Sequence, residues 1–371
     1  ALSSKDRKIQ AELQALVAPL LAWYDSGHRI LPWREKPDAY RVWISEIMLQ
    51  QTRVEAVRPY YDRFLKAFPD VSHLADAPEE EVLKLWEGLG YYSRARNLKK
   101  AAVQIGEKYG GVIPDTYEAL LQLPGIGSYT AGAIASIAFG RPVPAVDGNV
   151  LRILARVRMD AGDVMEQRVR REVWRHLLAI MPSARAGDFN QALMELGAVV
   201  CIPNGMPKCA ACPWHAMCKA AAAGETAEYP KKSRAKPRKI EEKTVLLIQD
   251  ENRTALRRRP SRGLLAGMYE FPSLDGHRTE KEVLSYLSAA EYKVIQIRRL
   301  ENARHVFTHK EWHMIGYAIR VDELERPARK AGMPFLFAEK NETEEKYPIP
   351  AAFAVYARYL QIRLGNEKYL P

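Results

Sequence analysis

The 371-residue chain has no cysteine before position 201 and none after 218. Its four, Cys201, Cys209, Cys212 and Cys218, crowd into one short stretch, which argues against a disulfide framework and for a metal site in a reducing compartment. Runs of about 18 uncharged apolar residues are missing too, so no membrane-spanning helix is expected. The opening residues, ALSSKDRKIQ, lack the apolar core of a secretory signal, and a cytoplasmic protein is expected. Internal repeats and low-complexity tracts are also wanting. Acidic side chains are in deficit: 45 Asp and Glu face 56 Lys and Arg, a net charge of +11. That imbalance favours a polyanionic partner, nucleic acid first, through counterion release, although a basic surface alone decides nothing.

What is present is enough apolar residue, 47%, to bury a large core in two domains or three. From 6 to 24, Ile9, Leu13, Leu16, Val17, Leu20 and Leu21 recur at helical spacing. Segments 42–51, 53–66, 80–87, 95–109, 116–123, 128–139, 148–157, 167–181 and 188–200 read the same way, with Pro and Gly between them. A basic linker follows at 224–242, with six Lys or Arg from Lys231 to Lys239 between Pro230 and Ile240. It suits a solvated tether or a strip along a phosphate backbone equally. Beyond it the period shortens: 243–250, 254–260, 268–274, 292–300, 305–309 and 311–321 read as strands, with a helix at 280–289. The expected division is a helical domain over 1–223, the linker 224–242, and an α+β domain over 243–371.

Within LPGIGSYTAG (123–132), Pro124 halts one helix, while Gly125 and Gly127 admit backbone conformations closed to other residues and remove side chains from the path of a neighbour. The next helix starts at Ser128, so bare N–H groups lie at its positive end, where a phosphate is favoured. Taken alone, the string also fits an ordinary corner between helices. Asp147, in PAVDGNV, opens another helix, and an acidic residue there is often only a cap. The cysteine gaps of seven, two and five wrap one compact object, whereas a zinc knuckle offers two short-spaced pairs; zinc stays as the alternative.

Joined to LPWR (31–34), WISEIMLQQTRV (43–54), WEGLGYYSRARNL (86–98) and FNQALMELGAVVC (189–201), these motifs are highly specific. Over essentially all of its length the chain resembles the endonuclease III superfamily of helix-hairpin-helix DNA glycosylases, and within it the adenine-specific MutY branch. The resemblance implies a multidomain α and α+β fold: an all-α helix-hairpin-helix glycosylase domain with a [4Fe-4S] cluster loop, then a Nudix-like α+β domain. It implies hydrolysis of the N-glycosidic bond of adenine mispaired with 8-oxoguanine or guanine, in base excision repair. The implied partner is double-stranded DNA with A:8-oxoguanine or A:G mispairs, met by a monomer with no membrane role, in a bacterial cytoplasm at the nucleoid.

Breaking that bond needs a proton on the leaving purine and stabilisation of an oxocarbenium-like sugar, the division of labour that glycosidases give to a carboxyl pair. Glu46 lies among apolar neighbours in WISEIML, so desolvation should raise its proton affinity. By resemblance Glu46 protonates the purine N7. Asp147, ionised, stabilises the sugar cation or bonds to it transiently, and Asn149 and Tyr129 position the apparatus. On the residues alone, Glu46 could be a satisfied buried glutamate and Asp147 a cap. Tyr129 stands where bifunctional relatives carry a lysine that forms a Schiff base; a phenol cannot form an imine, so monofunctional hydrolysis is expected.

Resemblance further assigns the pocket of the flipped adenine to Arg29, Trp33 and Glu195, although Trp33 could equally be core. It assigns the wedge that fills the vacated stack to Gln51, Thr52, Leu89 and Tyr91. Tyr92 and Arg94 either brace that loop or touch phosphate, and Gly125 and Gly127 meet DNA phosphate. Cys201, Cys209, Cys212 and Cys218 ligate the [4Fe-4S] cluster, with a first gap of seven where the family has six; a loop holding Gly205 and two prolines can absorb the extra residue. EKEVLSYLSAAEY lacks the Arg-Glu-x-x-Glu-Glu centre of a working Nudix hydrolase, which leaves a recognition surface. There HVFTH (305–309) matches a Phe-Ser-His loop, with Thr308 keeping the hydroxyl that bonds 8-oxoguanine, Phe307 stacking and His309 touching base or phosphate. Taken alone it fits the end of a hairpin. Two rivals are an endonuclease III-like lyase for oxidised pyrimidines, opposed by Tyr129 and the second domain, and a silent DNA-binding protein, which leaves Glu46 and Asp147 idle.

Overall fold

The computed structural model describes residues 4–233, 237–322 and 335–369. Helices α1 (Ser4–Gly27), α2 (Pro32–Glu35), α3 (Ala39–Leu49), α4 (Val54–Ala67), α5 (Val71–Asp76) and α6 (Glu79–Trp86) come first. Then follow α7 (Ser93–Tyr109), α8 (Tyr117–Leu120), α9 (Ser128–Ile137), α10 (Gly148–Arg158), α11 (Gln167–Leu178) and α12 (Ala186–Val199). None of the helices described is long and apolar enough to cross a membrane. Helix α3 starts three residues before the expected 42 because the Asp38 side chain accepts from the Arg41 amide and caps it. The short helices α2 and α5 escaped the sequence reading, since one turn carries no periodicity.

The second half contributes β1 (Lys239–Asp250), β2 (Arg253–Arg258), β3 (Tyr269–Glu270), β4 (Ser273–Asp275), β5 (Val294–Val306), β6 (Lys310–Val321) and β7 (Leu336–Glu339). They form one mixed sheet in the order β3-β2-β1-β6-β5, with β4 on β1 and β7 on β2. Strands β1 and β6 run parallel, Lys239 beside Lys310 through Gln249 beside Arg320; the other pairs are antiparallel. In β1 the run VLLI is buried on both faces: Val245 and Leu247 join one core cluster, Leu246 and Ile248 the other. Two expected strands differ. The segment 268–274 splits into β3 and β4 around Pro272, which has no N–H for a ladder. The segment 305–309 is the end of β5 plus a turn, closed by the Phe307 amide on the Lys310 carbonyl, 2.8 Å.

By contact the chain forms two compact units. The first takes the chain through Val54, Asp70–Ala75, and the stretch from Lys100 to the linker; the second takes Glu55–Pro69, Asp76–Lys99 and the chain beyond the linker. Helices of the 55–99 region therefore group with the sheet, a division that does not follow chain order. Linker residues 234–236 lie outside the described residues. On one side of them, Lys231 accepts from the Val164 amide and the Ser233 amide donates to Asp163; on the other, Arg238 donates to the Phe307 carbonyl.

The first unit's core joins α1, α10 and α12, with Leu20, Val150, Phe189 and Leu196 almost fully buried. Helix α9 packs closely on the segment before Asp147: a Cβ at Gly132 would come within 2.2 Å of the Pro144 carbonyl oxygen. Gly132→Ala should therefore lose on the order of 2 kcal/mol or more of stability, read from chemical denaturation midpoints. An unchanged midpoint would show that the segment yields freely.

Candidate active site

Five elements of the first unit bring side chains together: α2, α3, the start of α9, the α10 N-terminus and α12. Helix α3 is apolar around its circumference, Trp43, Ile44, Ile47 and Met48 all being buried, and this drags Glu46 inside at 5% exposure. Its Oε2 accepts from the Tyr129 hydroxyl at 2.5 Å. The same hydroxyl stands 2.9 Å from the Met194 sulfur on α12. Burial pushes the Glu46 carboxyl up to about 7; the Tyr129 hydrogen bond opposes this, the like charge of Asp147 adds to it, and Arg34 subtracts. Tyr129 is held well above the usual phenol range by burial and by the carboxylates of Glu46 and Asp147.

Asp147 is the N-cap of α10. One oxygen accepts from the Val150 amide and the other from Asn149 Nδ2, each at 2.8 Å. Burial raises its pKa against those two bonds. Asn149 is itself fixed: its Oδ1 accepts from Arg152, whose guanidinium also donates to the carbonyls of Gly197 (2.7 Å) and Cys201 (3.0 Å). Glu195 lies buried on α12, bridged by Arg29 (2.8 Å) and Arg34 (2.8 Å). Burial raises its pKa, but the two guanidinium groups outweigh that and bring it down to about 2. Trp33 is buried beside them on α2. The unit thus holds one carboxyl, Glu46, that keeps a proton up to near neutrality and another, Glu195, that is held as a carboxylate.

Gln51 adopts left-handed backbone (φ 57°) just past α3 and is exposed, while Thr52 is half-buried. In the hairpin, Gly125 needs its freedom (φ 77°). Gly127 does not: its φ of −92° is extended backbone, and a Cβ there would meet nothing within 4 Å. Its smallness leaves room outside the chain. No side chain caps α9 at Gly127, so its first amides stay open to an anion.

Cys201, Cys209, Cys212 and Cys218 line one cavity with Arg156, Val200 and His215. Burial pushes the Cys212 thiol up to about 11, and the other three cysteines add to it. Arg156 donates to the Cys201 sulfur at 3.3 Å and to the Ile202 carbonyl at 2.9 Å. Among the described residues no three His, Cys, Asp or Glu converge closely enough for a single metal ion. Four sulfurs around one space beside a cationic side chain fit a larger, anionic, thiolate-held group.

In the second unit the GLGYYSR turn is anchored by buried Glu87, which pairs with Lys84 (2.9 Å) and Lys368 (3.1 Å) and accepts from the Ile349 amide (3.1 Å). Gly88, Gly90 and Tyr91 all have positive φ. Tyr91 is 46% exposed and Leu89 only 7%, so of the two assigned positions Tyr91 is the one at the surface. Arg94 is buried and donates to the carbonyls of Leu89 and Gly90; Tyr92 is buried and its oxygen accepts from Gly88. Both brace the loop from inside, the first of the two readings given for them.

Thr308 and His309 are exposed in the β5–β6 turn, and Thr308 Oγ1 lies 3.5 Å from the Tyr91 hydroxyl. Phe307 packs edge-on against His305 (4.6 Å) and Trp312 (4.9 Å). The ring stays half-buried, held against the sheet by these two neighbours. Sequence reasoning missed Arg34, Arg152, Arg156 and Met194. Arg34 sits inside the quoted LPWR and Met194 one residue before Glu195, but an isolated position gives no sign of the partner that the fold brings to it.

Residues 44–177 match the family described as HhH-GPD superfamily base excision DNA repair protein, and residues 244–358 match the NUDIX domain. The chain is 37% identical to human adenine DNA glycosylase, over 81% of this chain and 66% of that protein, just under two thirds of its length. It is 36% identical to the mouse adenine DNA glycosylase, over 89% of this chain and 75% of that one. The adenine DNA glycosylase of Buchnera aphidicola subsp. Acyrthosiphon pisum (strain APS) is 36% identical over 81% and 85%. Among solved structures, a thermostable thymine-DNA glycosylase superposes with a TM-score of 0.51 at 28% identity, over 58% of this chain and 98% of that one. A trapped endonuclease III–DNA covalent intermediate, at 23% identity and a TM-score of 0.50 over 58% and 98%, shares the fold. With a helical base-excision-repair domain, a NUDIX domain and that extent of identity, the chain belongs to the adenine DNA glycosylase family.

Proposed function

We propose that the chain removes adenine from A:8-oxoguanine and A:G mispairs in double-stranded DNA by monofunctional hydrolysis, acting as a monomer. The observation that carries this reading is the buried Glu46–Tyr129 pair within electrostatic reach of Asp147, with Glu46 pushed up to about 7. Glu46 then still carries its proton near neutral pH and delivers it to the purine nitrogen, so that the base leaves neutral. Asp147, held by Val150 and Asn149, faces the positive charge left on the sugar. Arg29, Trp33 and Glu195 receive the extruded adenine; Glu195, locked as an anion by two arginines, is an acceptor for an exocyclic amine.

Gly125 and Gly127 offer amides to a DNA phosphate, Gln51, Thr52, Leu89 and Tyr91 form or support the wedge, and Thr308 with His309 meets the base opposite. Phe307, half-buried against Trp312, stacks on that base from the same loop. Cys201, Cys209, Cys212 and Cys218 hold a [4Fe-4S] cluster, an anionic cross-link that ties down the 201–218 loop, with Arg156 compensating its charge. As working regions we assign 1–223 to glycosylase chemistry, 224–242 to a tether and 243–371 to reading 8-oxoguanine.

The test is single-turnover cleavage of A:8-oxoguanine, A:G and thymine glycol duplexes. Strand scission should appear for the first two only after alkali, and borohydride should trap no covalent complex. Alkali-independent scission of the thymine glycol duplex would replace this reading with a lyase; no base loss from any duplex would leave a binding protein.

A further inference from the structure

The Tyr129 hydroxyl has one hydrogen and two acceptors, Glu46 Oε2 at 2.5 Å and the Met194 sulfur at 2.9 Å. A thioether is a weak acceptor, here set against a phenol already bonded to a carboxylate. We propose that Met194 is a positioning residue for the acid: by competing for the single Tyr129 hydrogen it weakens the bond that would hold Glu46 as a carboxylate, so Glu46 keeps its proton until a purine takes it. The inference rests on Glu46 being the acid, as proposed above, and adds to it a residue that touches neither the base nor the sugar in that mechanism.

The proton count closes. While Glu46 is ionised, Tyr129 donates to it. When Glu46 is protonated, the phenol hydrogen turns toward the Met194 sulfur, and the Tyr129 oxygen is free to accept from the carboxylic O–H. After that proton passes to the leaving base, the phenol hydrogen returns to the carboxylate. A hydrogen bond to the charged form of an acid lowers its pKa and one from the neutral form raises it, so in either arrangement the sulfur acts in the same direction. The charged and titratable groups facing this pair are Tyr129 on α9, Asp147 at the head of α10 and Arg34 on α2; Glu195, next to Met194, is taken up by Arg29 and Arg34.

The test is the pH profile of single-turnover adenine excision from an A:8-oxoguanine duplex by the full chain and by Met194→Leu, which keeps volume and removes the acceptor. The alkaline limb should move down by about half to one pH unit, so that the Met194→Leu rate falls about threefold to tenfold further at pH 8 than at pH 5.5. Met194→Gln, which restores an acceptor, should bring the limb back toward its original position. A Met194→Leu profile scaled by one factor at every pH would overturn the inference, because a purely packing role acts that way. Should Met194→Leu fold poorly by circular dichroism, the position of the limb in Met194→Gln decides: a limb lowered as far as an acceptor-free side chain predicts overturns it, and one near the original supports it. Glu46→Gln is run alongside. If it keeps the alkaline limb, the assignment of the acid itself is wrong; if the limb disappears in Glu46→Gln but stays put in Met194→Leu, only the role of Met194 is.

Discussion

Asp147→Asn should bind an A:8-oxoguanine duplex as the parent chain does and excise adenine slower by on the order of 10³-fold or more. The substitution isolates charge from structure. Asparagine keeps an oxygen for the Val150 amide, so α10 retains its cap, while the amide loses the negative charge that the proposed mechanism sets against the sugar cation. The Asn149 contact on the second oxygen is the cost, because that position becomes a donor opposite a donor if the first oxygen stays on Val150. Binding measured by fluorescence anisotropy and excision measured in a single turnover separate the two effects. Excision within tenfold of the parent rate, with binding intact, would reduce Asp147 to a cap.

Glu46→Gln should lower excision at pH 6 by about 10²- to 10⁴-fold, since glutamine has no proton to give. The parent profile should be bell-shaped: Asp147 must be ionised and Glu46 protonated, so the rate falls below the first transition and again as pH rises through about 7. The same raised value governs stability. Glu46 holds its proton more tightly folded than unfolded, so its stabilising contribution is complete below the ordinary 4.5 and is lost as pH rises through about 7. That loss is on the order of 3 kcal/mol. Glutamine never ionises, and Glu46→Gln should therefore melt above the parent at pH 8 and close to it at pH 4.5. Equal melting temperatures at pH 8 would mean that Glu46 is solvated in the folded chain.

Much of the site was legible because local rules generate it. WISEIML reads as an apolar helix with one carboxyl in it, and α3 buries Glu46 for that reason. Asp147 reads as the start of a helix, and it caps α10. What the sequence could not show is which distant groups meet these residues. Arg34 and Arg29 converge on Glu195 across more than 160 positions, and Met194 reaches Tyr129 across 65, through packing of α12 that no local pattern announces. The same holds for Phe307, whose neighbours Trp312 on β6 and His305 on β5 are set by strand pairing and not by its own motif.

The sequence by itself determined the helical first half, the β-rich second half, the clustering of four thiols, the net positive charge, and the placing of one carboxyl within an apolar helix and another at a helix start, because periodicity, caps and composition act over a few residues. Only the tertiary structure decided that Glu46 keeps its proton near neutrality while Glu195 cannot. Both are buried glutamates on apolar helices. The difference is that two guanidinium groups close on Glu195 and outweigh its burial, whereas at Glu46 burial and the nearby Asp147 outweigh the Tyr129 hydrogen bond and Arg34.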